Sequence, residues 1–259
     1  MSQSSRSFDR AAAYYDQTRE LPEPIAAHGI PAIVQHIAPN GKILDVGTGT
    51  GRISIPLLRL GADVIGVDLS LNMMGKLRAK YPAAHLAQAD ASHLPFAAQQ
   101  FDAVLTTHVM HLIGPWREAL REYRRVLKPG GVYIDSTQWH DKTSPLRLIR
   151  DHWRELVEAQ GAQWRRPGAQ SPDEILAELQ ALGAQIEEVE VLRYYSTSTP
   201  REVLEAIHSR VCSDAWDVPD HVLETTFNAI TAWTKEEFKH LDEPISTERR
   251  FVLRITKFD

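Results

Sequence analysis

The sequence predicts an α/β fold centred on a parallel sheet with helices on both faces. Two observations carry this. From residue 42 to residue 134, short apolar runs of strand length alternate with helical segments. The first run, Lys42-Ile43-Leu44-Asp45-Val46, leads through an acid into Gly47-Thr48-Gly49-Thr50-Gly51, three glycines at alternate positions. That is the pattern of a buried strand leaving the sheet through a tight turn whose backbone can approach a ligand, since glycine accepts positive φ and carries no Cβ.

The elements follow in order. Residues 1–7 are serine-rich and read as a frayed end. Phe8 to Thr18 reads as a helix and is broken by Pro22 and Pro24; Ile25 to Ile37 reads as a second. After strand 42–46 a helix runs from about Arg52 to Leu60, where Gly61 ends it, and Val64-Ile65-Gly66-Val67 leads to Asp68. Leu71 to Lys80 is a helix stopped at Tyr81-Pro82, and a short strand then reaches Asp90. Phe101 to His108 is the next strand. A helix closes at Arg124-Arg125-Val126-Leu127-Lys128-Pro129-Gly130-Gly131, before the apolar strand Val132-Tyr133-Ile134.

Beyond Thr137 helices dominate. Pro145 to Gln160 has an apolar stripe of Leu146, Ile149, Trp153, Leu156 and Val157. Ser171-Pro172-Asp173-Glu174 and Thr199-Pro200-Arg201-Glu202 are helix starts: a hydroxyl cap, proline in the first turn and an acid three residues on. Strands are expected at 186–198 and 248–258, with a helical stretch over 219–241 between them.

With 43% hydrophobic and 24% charged residues, the 259-residue chain has an ordinary globular composition. Its net charge of −5 argues against a nucleic-acid or anionic-membrane partner. Arg165 and Arg166 read as a solvated loop edge. Cys212 is the single cysteine, which fits a reducing compartment and removes cysteine-based metal sites. No apolar run has the length of a membrane span and no spacing suits a metal, so the expectation is a cytoplasmic protein without metal.

Glycine spacing separates two cofactors. A dinucleotide loop needs glycine at the first, third and sixth positions. Counting from Gly47, the sixth position is Arg52, and a glycine stands at the fifth. Asp68, at the end of the second strand, suits a ribose diol, because a carboxylate can accept from both hydroxyls.

Acid-x-Gly-x-Gly-x-Gly resembles the first motif of class I S-adenosylmethionine-dependent methyltransferases. Further matches are Gln88-Ala89-Asp90-Ala91-Ser92-His93-Leu94-Pro95-Phe96, the strand Phe101 to His108, and Arg124 to Gly131. Together they resemble the methyltransferase type 11 group, which includes quinone-biosynthesis C-methyltransferases and many small-molecule methyltransferases. The resemblance covers about residues 8 to 137.

It implies a Rossmann-like seven-stranded, mostly parallel sheet with an antiparallel last strand, plus a helical lid. Residues 1–40 would be N-terminal lid helices and 41–137 the cofactor-binding core. Residues 138–259 would complete the core, with insertions 138–170 and 199–247 capping the substrate. It further implies S-adenosylmethionine as cofactor and a small-molecule methyl acceptor. Asp45, Gly47, Gly49 and Gly51 would floor the methionine part, Asp68 would take the ribose, and Asp90 with Ala91 would read the adenine. Leu69 and Met73 would pack on the base, although Met73 also suits plain core. Thr107 would face the methionine moiety. Tyr15 and Arg19 match a tyrosine and an arginine that precede the first strand in relatives, and an arginine there could pair with the cofactor carboxylate.

Methyl transfer from a sulfonium needs alignment and exclusion of water, and needs a base only if the acceptor must lose a proton. His108, His111 and His140 are the candidates, following the fourth and fifth strands. For His111 a loop or helix-start hydrogen bond is the favoured reading. Tyr14, Trp153, Tyr194, Tyr195 and Trp216 could wall an aromatic pocket or serve as core. Two other functions stay open: a non-catalytic S-adenosylmethionine-binding protein, and an NAD-dependent oxidoreductase, which Arg52 disfavours.

Overall fold

The computed structural model describes residues 5–140, 143–164 and 166–258, leaving out the side chains of 137–140. The chain forms two compact units. The first is the chain through Gln138 with Pro167–Leu192 and the segment from Phe251; the second is Trp139–Arg166 with Arg193–Arg250.

The first unit opens with a 3₁₀ turn, Asp9–Ala11, and a short helix α1 (Tyr15–Thr18). The sequence predicts one helix there, and the chain breaks it at Tyr14 (φ −117°, ψ 0°). Its acids are committed elsewhere: Asp9 Oδ1 accepts from Ser70 Oγ at 2.5 Å and Asp16 Oδ1 from Thr50 Oγ1 at 2.5 Å. A π-helical turn, Ile25–Gly29, runs into α2 (Ile30–Gln35).

Then come β1 (Lys42–Val46), α3 (Ser54–Arg59), β2 (Asp63–Asp68), α4 (Leu71–Lys80) and β3 (His85–Gln88). They are followed by β4 (Phe101–Thr107), α5 (Trp116–Val126) and β5 (Leu127–His140). The remaining elements are α6 (Pro145–Ala159), α7 (Pro172–Ala181), β6 (Ala184–Ser198), α8 (Pro200–His208), α9 (Asp220–Glu237) and β7 (Ile245–Phe258). Both predicted helix starts are in place. Ser171 Oγ accepts from Glu174 N–H, and Thr199 forms a full capping box with Glu202.

The seven strands make one mixed sheet in the order β3-β2-β1-β4-β5-β7-β6, with β7 antiparallel. The pairs β1–β2, β1–β4, β2–β3 and β4–β5 are parallel. β5 starts earlier than the sequence suggests. Leu127 pairs with Phe101, but Ala103 already pairs with Val132, so Lys128–Gly131 bulge out of the ladder around Gly130 (φ +77°).

The sheet core contains Leu44, Val46, Val67, Phe101, Val104, Tyr123 and Tyr133, and α5 adds Ala119, Leu120 and Val126. Near-continuous buried runs mark β1 and β4 as covered on both faces, as parallel central strands require. A polar network lies inside this core. Asp135 accepts from Thr106 Oγ1 at 2.9 Å and from Arg254 Nη1 at 3.3 Å, and Arg254 also bonds Glu188 at 2.9 Å.

The helical unit has a core of its own, with Leu146, Ile149, Trp153 and Val157 from α6, Leu204 and Ile207 from α8, and Val222, Leu223 and Ile230 from α9. Trp153 is fully buried and its Nε1–H donates to Thr226 Oγ1 at 3.2 Å. It is core and not a pocket wall. Trp216 is buried with its Nε1–H on the Arg210 carbonyl, while Tyr195 is exposed.

Candidate functional site

The site is built at the carboxyl ends of β1, β2 and β4. After Val46 the chain turns through Gly47 (φ +74°), Gly49 (φ +55°) and Gly51 (φ +87°). The turn is fastened to β2, because Gly47 N–H and Thr48 N–H both donate to the Val67 carbonyl, at 2.8 and 3.0 Å. The three glycines have different jobs. A Cβ on Gly51 would meet Leu77 Cγ at 2.7 Å and Ile55 at 2.8 Å, so Gly51 permits helix packing. A Cβ on Gly49 would meet only the tip of Met73, at 3.3 Å. Gly49 keeps open space, not packing.

Asp68 closes the turn from the other side. Its Oδ2 accepts from Gly49 N–H and its Oδ1 from Ser70 N–H, each at 2.8 Å. Burial pushes this carboxyl up from its ordinary value, and the backbone amides of Ser70, Gly49 and Leu69 oppose the shift. Asp45 is different. It lies beneath the turn, accepts from Ser54 Oγ, and is pushed up to about 6 by burial against hydrogen bonds from Ser54 and Thr48. Thr48 and Ser54 share a hydrogen bond of 2.6 Å, so Asp45 holds the turn to the start of α3.

A cleft of about 700 Å³, open to solvent, runs over the turn. Its lining includes Tyr15, Gly47, Gly49, Asp68, Leu69, Met73, Asp90, Ala91, Thr107 and His108. A smaller adjoining cleft reaches Asp45, Thr50 and Arg52 and shares Tyr15, Gly47, Gly49, Thr107 and His108. Asp90 Oδ1 is occupied by Ser92 N–H and Oγ, while Oδ2 takes a longer bond, 3.4 Å, from Ser5 Oγ. Thr107 Oγ1 shares a hydrogen bond of 2.7 Å with Ser136 Oγ.

Three expected residues are not among those lining either cleft: Gly51, Arg19 and His111. Arg52 Nη1 donates to the Arg19 carbonyl at 3.5 Å, and it is Arg52 that lines the smaller cleft. The His111 carbonyl accepts from Gly168 N–H at 3.0 Å, so the His111 backbone anchors a loop. His108 lines both clefts in the left-handed conformation (φ +53°). The side chain of His140 lies outside the described residues.

Sequence reasoning missed the N-terminal strap. Residues 5–7, expected to fray, have definite partners. Arg6 N–H donates to the Leu112 carbonyl at 2.9 Å, and Ser5, Arg6 and Phe8 join the cleft wall. Downstream, Asp9 accepts from Ser70 Oγ at the start of α4, and Lys80 pairs with Asp16 at 3.0 Å. No local periodicity encodes such long-range bonds.

Residues 44–134 match the model of a known family, described as a methyltransferase domain. Over those residues the chain is similar to a methyltransferase domain. Domains of this family use S-adenosylmethionine. The chain is 33% identical over 153 residues to a malonyl-[acyl-carrier protein] O-methyltransferase of Enterobacter lignolyticus, covering 58% of each chain. It is 35% identical over 111 residues to a demethylmenaquinone methyltransferase of Renibacterium salmoninarum, covering 43% of this chain and 47% of the relative. The chain thus spans about half the length of these relatives. The YcgJ protein of Bacillus subtilis shares the fold, with a TM-score of 0.58 at 18% identity over 89% of this chain and 98% of that one.

At the cleft the glycine turn presents Gly49, which has no Cβ, beside Asp68, whose two carboxylate oxygens accept from the amides of Gly49 and Ser70. Among the described residues no group of three potential metal ligands occurs, and no helix is long and apolar enough to cross a membrane.

Proposed function

We propose that this protein transfers a methyl group from S-adenosylmethionine to a small organic acceptor by in-line displacement. One observation carries the reading: a single cleft gathers Gly47, Gly49, Asp68 and Asp90 at the ends of successive parallel strands. Ligands of open parallel sheets bind at that edge.

Asp68 accepts from the ribose hydroxyls, Asp90 and Ala91 hold the adenine edge, and Leu69 and Met73 pack on the base. Gly47 and Gly49 let the backbone approach the methionine portion, with Tyr15 and Thr107 beside it. Arg52 supplies positive charge at the smaller cleft, the role first expected of Arg19. When bound, the sulfonium supplies a methyl already activated by its positive charge. The chain's own residues therefore orient the reactants and keep water out. Where the acceptor must lose a proton, His108 is the histidine that lines the cleft and can hold that proton near neutral pH.

The two curated relatives named above are named for different acceptors, a malonyl-acyl carrier protein and demethylmenaquinone. What they share with this chain therefore does not specify the acceptor. Release of S-adenosylhomocysteine in the presence of a panel of carboxylate, phenol, amine and quinol acceptors tests the proposal. Release that depends on one acceptor class supports it. Intact cofactor binding with no release from any acceptor would favour a non-catalytic binding protein.

A further inference from the structure

The segment 5–16 crosses the ends of four strands, and each of its ties goes to a different loop. Ser5 Oγ donates to Asp90 Oδ2 at 3.4 Å beyond β3, and Arg6 N–H donates to the Leu112 carbonyl at 2.9 Å beyond β4. Asp9 Oδ1 accepts from Ser70 Oγ at 2.5 Å and from Asn72 N–H at 3.3 Å beyond β2. Asp16 Oδ1 accepts from Thr50 Oγ1 at 2.5 Å in the glycine turn beyond β1. These four loops carry Asp90, His108, Asp68 and Gly49, all of which line the main cleft. Apolar burial adds little to the docking: of residues 5–18 only Ala11 and Ala12 are buried. Polar bonds therefore decide how the strap sits.

Both acids are exposed, yet each holds a buried hydroxyl. Ser70 is fully buried and stands between two carboxylates. Its N–H donates to Asp68 Oδ1 at 2.8 Å, its Oγ–H donates to Asp9, and its Oγ accepts from Met73 N–H at 3.1 Å as the cap of α4. Thr50 is buried too and lies between Gly49 and Gly51. Its acceptor, Asp16, is itself held by Lys80, the last residue of α4, at 3.0 Å. Neither Asp9 nor Asp16 lines either cleft, so an effect of theirs on a ligand passes through Ser70 and Thr50.

We propose that Asp9 and Asp16 are positioning residues of the cofactor cleft, Asp9 aiming Asp68 through Ser70 and Asp16 fixing the glycine turn through Thr50. This role rests on the reading of the cleft as the S-adenosylmethionine site. Without Asp9 the buried Ser70 hydroxyl loses its acceptor, which is costly. It turns to the carboxylate that its own amide already touches and takes an Asp68 oxygen that the ribose needs. Without Asp16 the Thr50 hydroxyl loses its acceptor in the same way, and the turn beside the methionine part shifts. The two acids therefore act on different halves of one ligand.

The test uses the full chain and calorimetry with two probes, S-adenosylhomocysteine and 5′-methylthioadenosine. The second keeps the adenine and ribose and lacks the amino-acid part. Asp9→Ala should weaken both probes about tenfold, the effect of one lost hydrogen bond to a charged group. Asp16→Ala should weaken S-adenosylhomocysteine about tenfold and leave 5′-methylthioadenosine within about twofold of wild type. Asp9→Asn and Asp16→Asn keep an oxygen that can accept, and should recover affinity to within about threefold of wild type. Thr50→Val removes the Asp16 bond from its other side without leaving an unpaired hydroxyl, and should show the same split between the probes as Asp16→Ala.

A strap that only stabilised the fold would weaken both probes alike in every variant. That result, or unchanged affinities in both alanine variants while wild type binds S-adenosylhomocysteine, would overturn the positioning roles and leave the cofactor reading standing. Wild type that binds neither probe would instead remove the cofactor reading, and the roles of the two acids with it.

Discussion

The glycine turn yields the sharpest prediction, because its glycines have separate roles. In Gly51→Ala the new methyl would sit 2.7 Å from Leu77 Cγ and 2.8 Å from Ile55, inside a packed cluster, at φ +87°. Overpacking of this kind costs about 1–3 kcal/mol, and the left-handed backbone adds about 1–2 kcal/mol for an L-residue. The expected loss is about 2–5 kcal/mol, a fall in melting temperature of roughly 5–15 °C for a chain of this size. The fraction that folds should bind S-adenosylhomocysteine almost normally, since Gly51 does not line the cleft. In Gly49→Ala the methyl meets only the flexible end of Met73 at 3.3 Å, at φ +55°. Its stability cost should be about 1–2 kcal/mol, while cofactor affinity should fall at least tenfold. Thermal melts and calorimetry on both variants give the comparison. Equal effects of the two substitutions on affinity, or a Gly51→Ala protein as stable as wild type, would refute this division of labour.

Three further outcomes follow from other parts of the molecule. Replacing His108 by glutamine should lower turnover about 10²–10⁴-fold on an acceptor that must lose a proton, with cofactor affinity little changed, whereas His111→Gln should leave turnover near wild type. Arg254→Gln should destabilise the protein by about 3–5 kcal/mol, because it strands the buried Asp135 carboxylate; denaturant titration measures it. Asp45 has a folded-state value raised to about 6, so the stability that its protonated form contributes is full below its unfolded value near 3.8 and is lost as pH rises through about 6. Relative to wild type, Asp45→Asn should therefore gain up to about 3 kcal/mol between pH 4 and pH 7, and a pH-independent difference would contradict the burial of that charge.

The parts of the fold legible in the sequence are those that local pattern controls. The acid before the glycines, the acid after β2 and the caps at Ser171 and Thr199 are short-range devices, and each is found where the residues put it. What stayed hidden depends on the third dimension. Gly51 and Gly49 look alike as letters and differ only in what stands beside their missing Cβ atoms. Asp45 lines the smaller cleft, and the bond from Ser54 Oγ by which its carboxylate also braces the loop is not visible in the sequence. Arg52 and not Arg19 lines the cleft because the turn that leads from the glycines into α3 carries it there. The strap at Ser5 and Arg6 is fixed by bonds to Asp90 and Leu112, more than eighty positions away in sequence, and no periodicity announces it. Arg166 is another case, since a loop rich in arginine, proline and glycine reads as solvated and the residue is half-buried.

We propose S-adenosylmethionine as the ligand of the cleft over the glycine turn, with Asp68 on its ribose. Calorimetric titration of wild type and Asp68→Ala with S-adenosylhomocysteine and with NAD tests it most directly. The account predicts that wild type binds S-adenosylhomocysteine in preference to NAD, and that Asp68→Ala, still folded, loses about 1–3 kcal/mol of that affinity. Tight NAD binding with no heat from S-adenosylhomocysteine, or an Asp68→Ala protein of unchanged affinity, would contradict it.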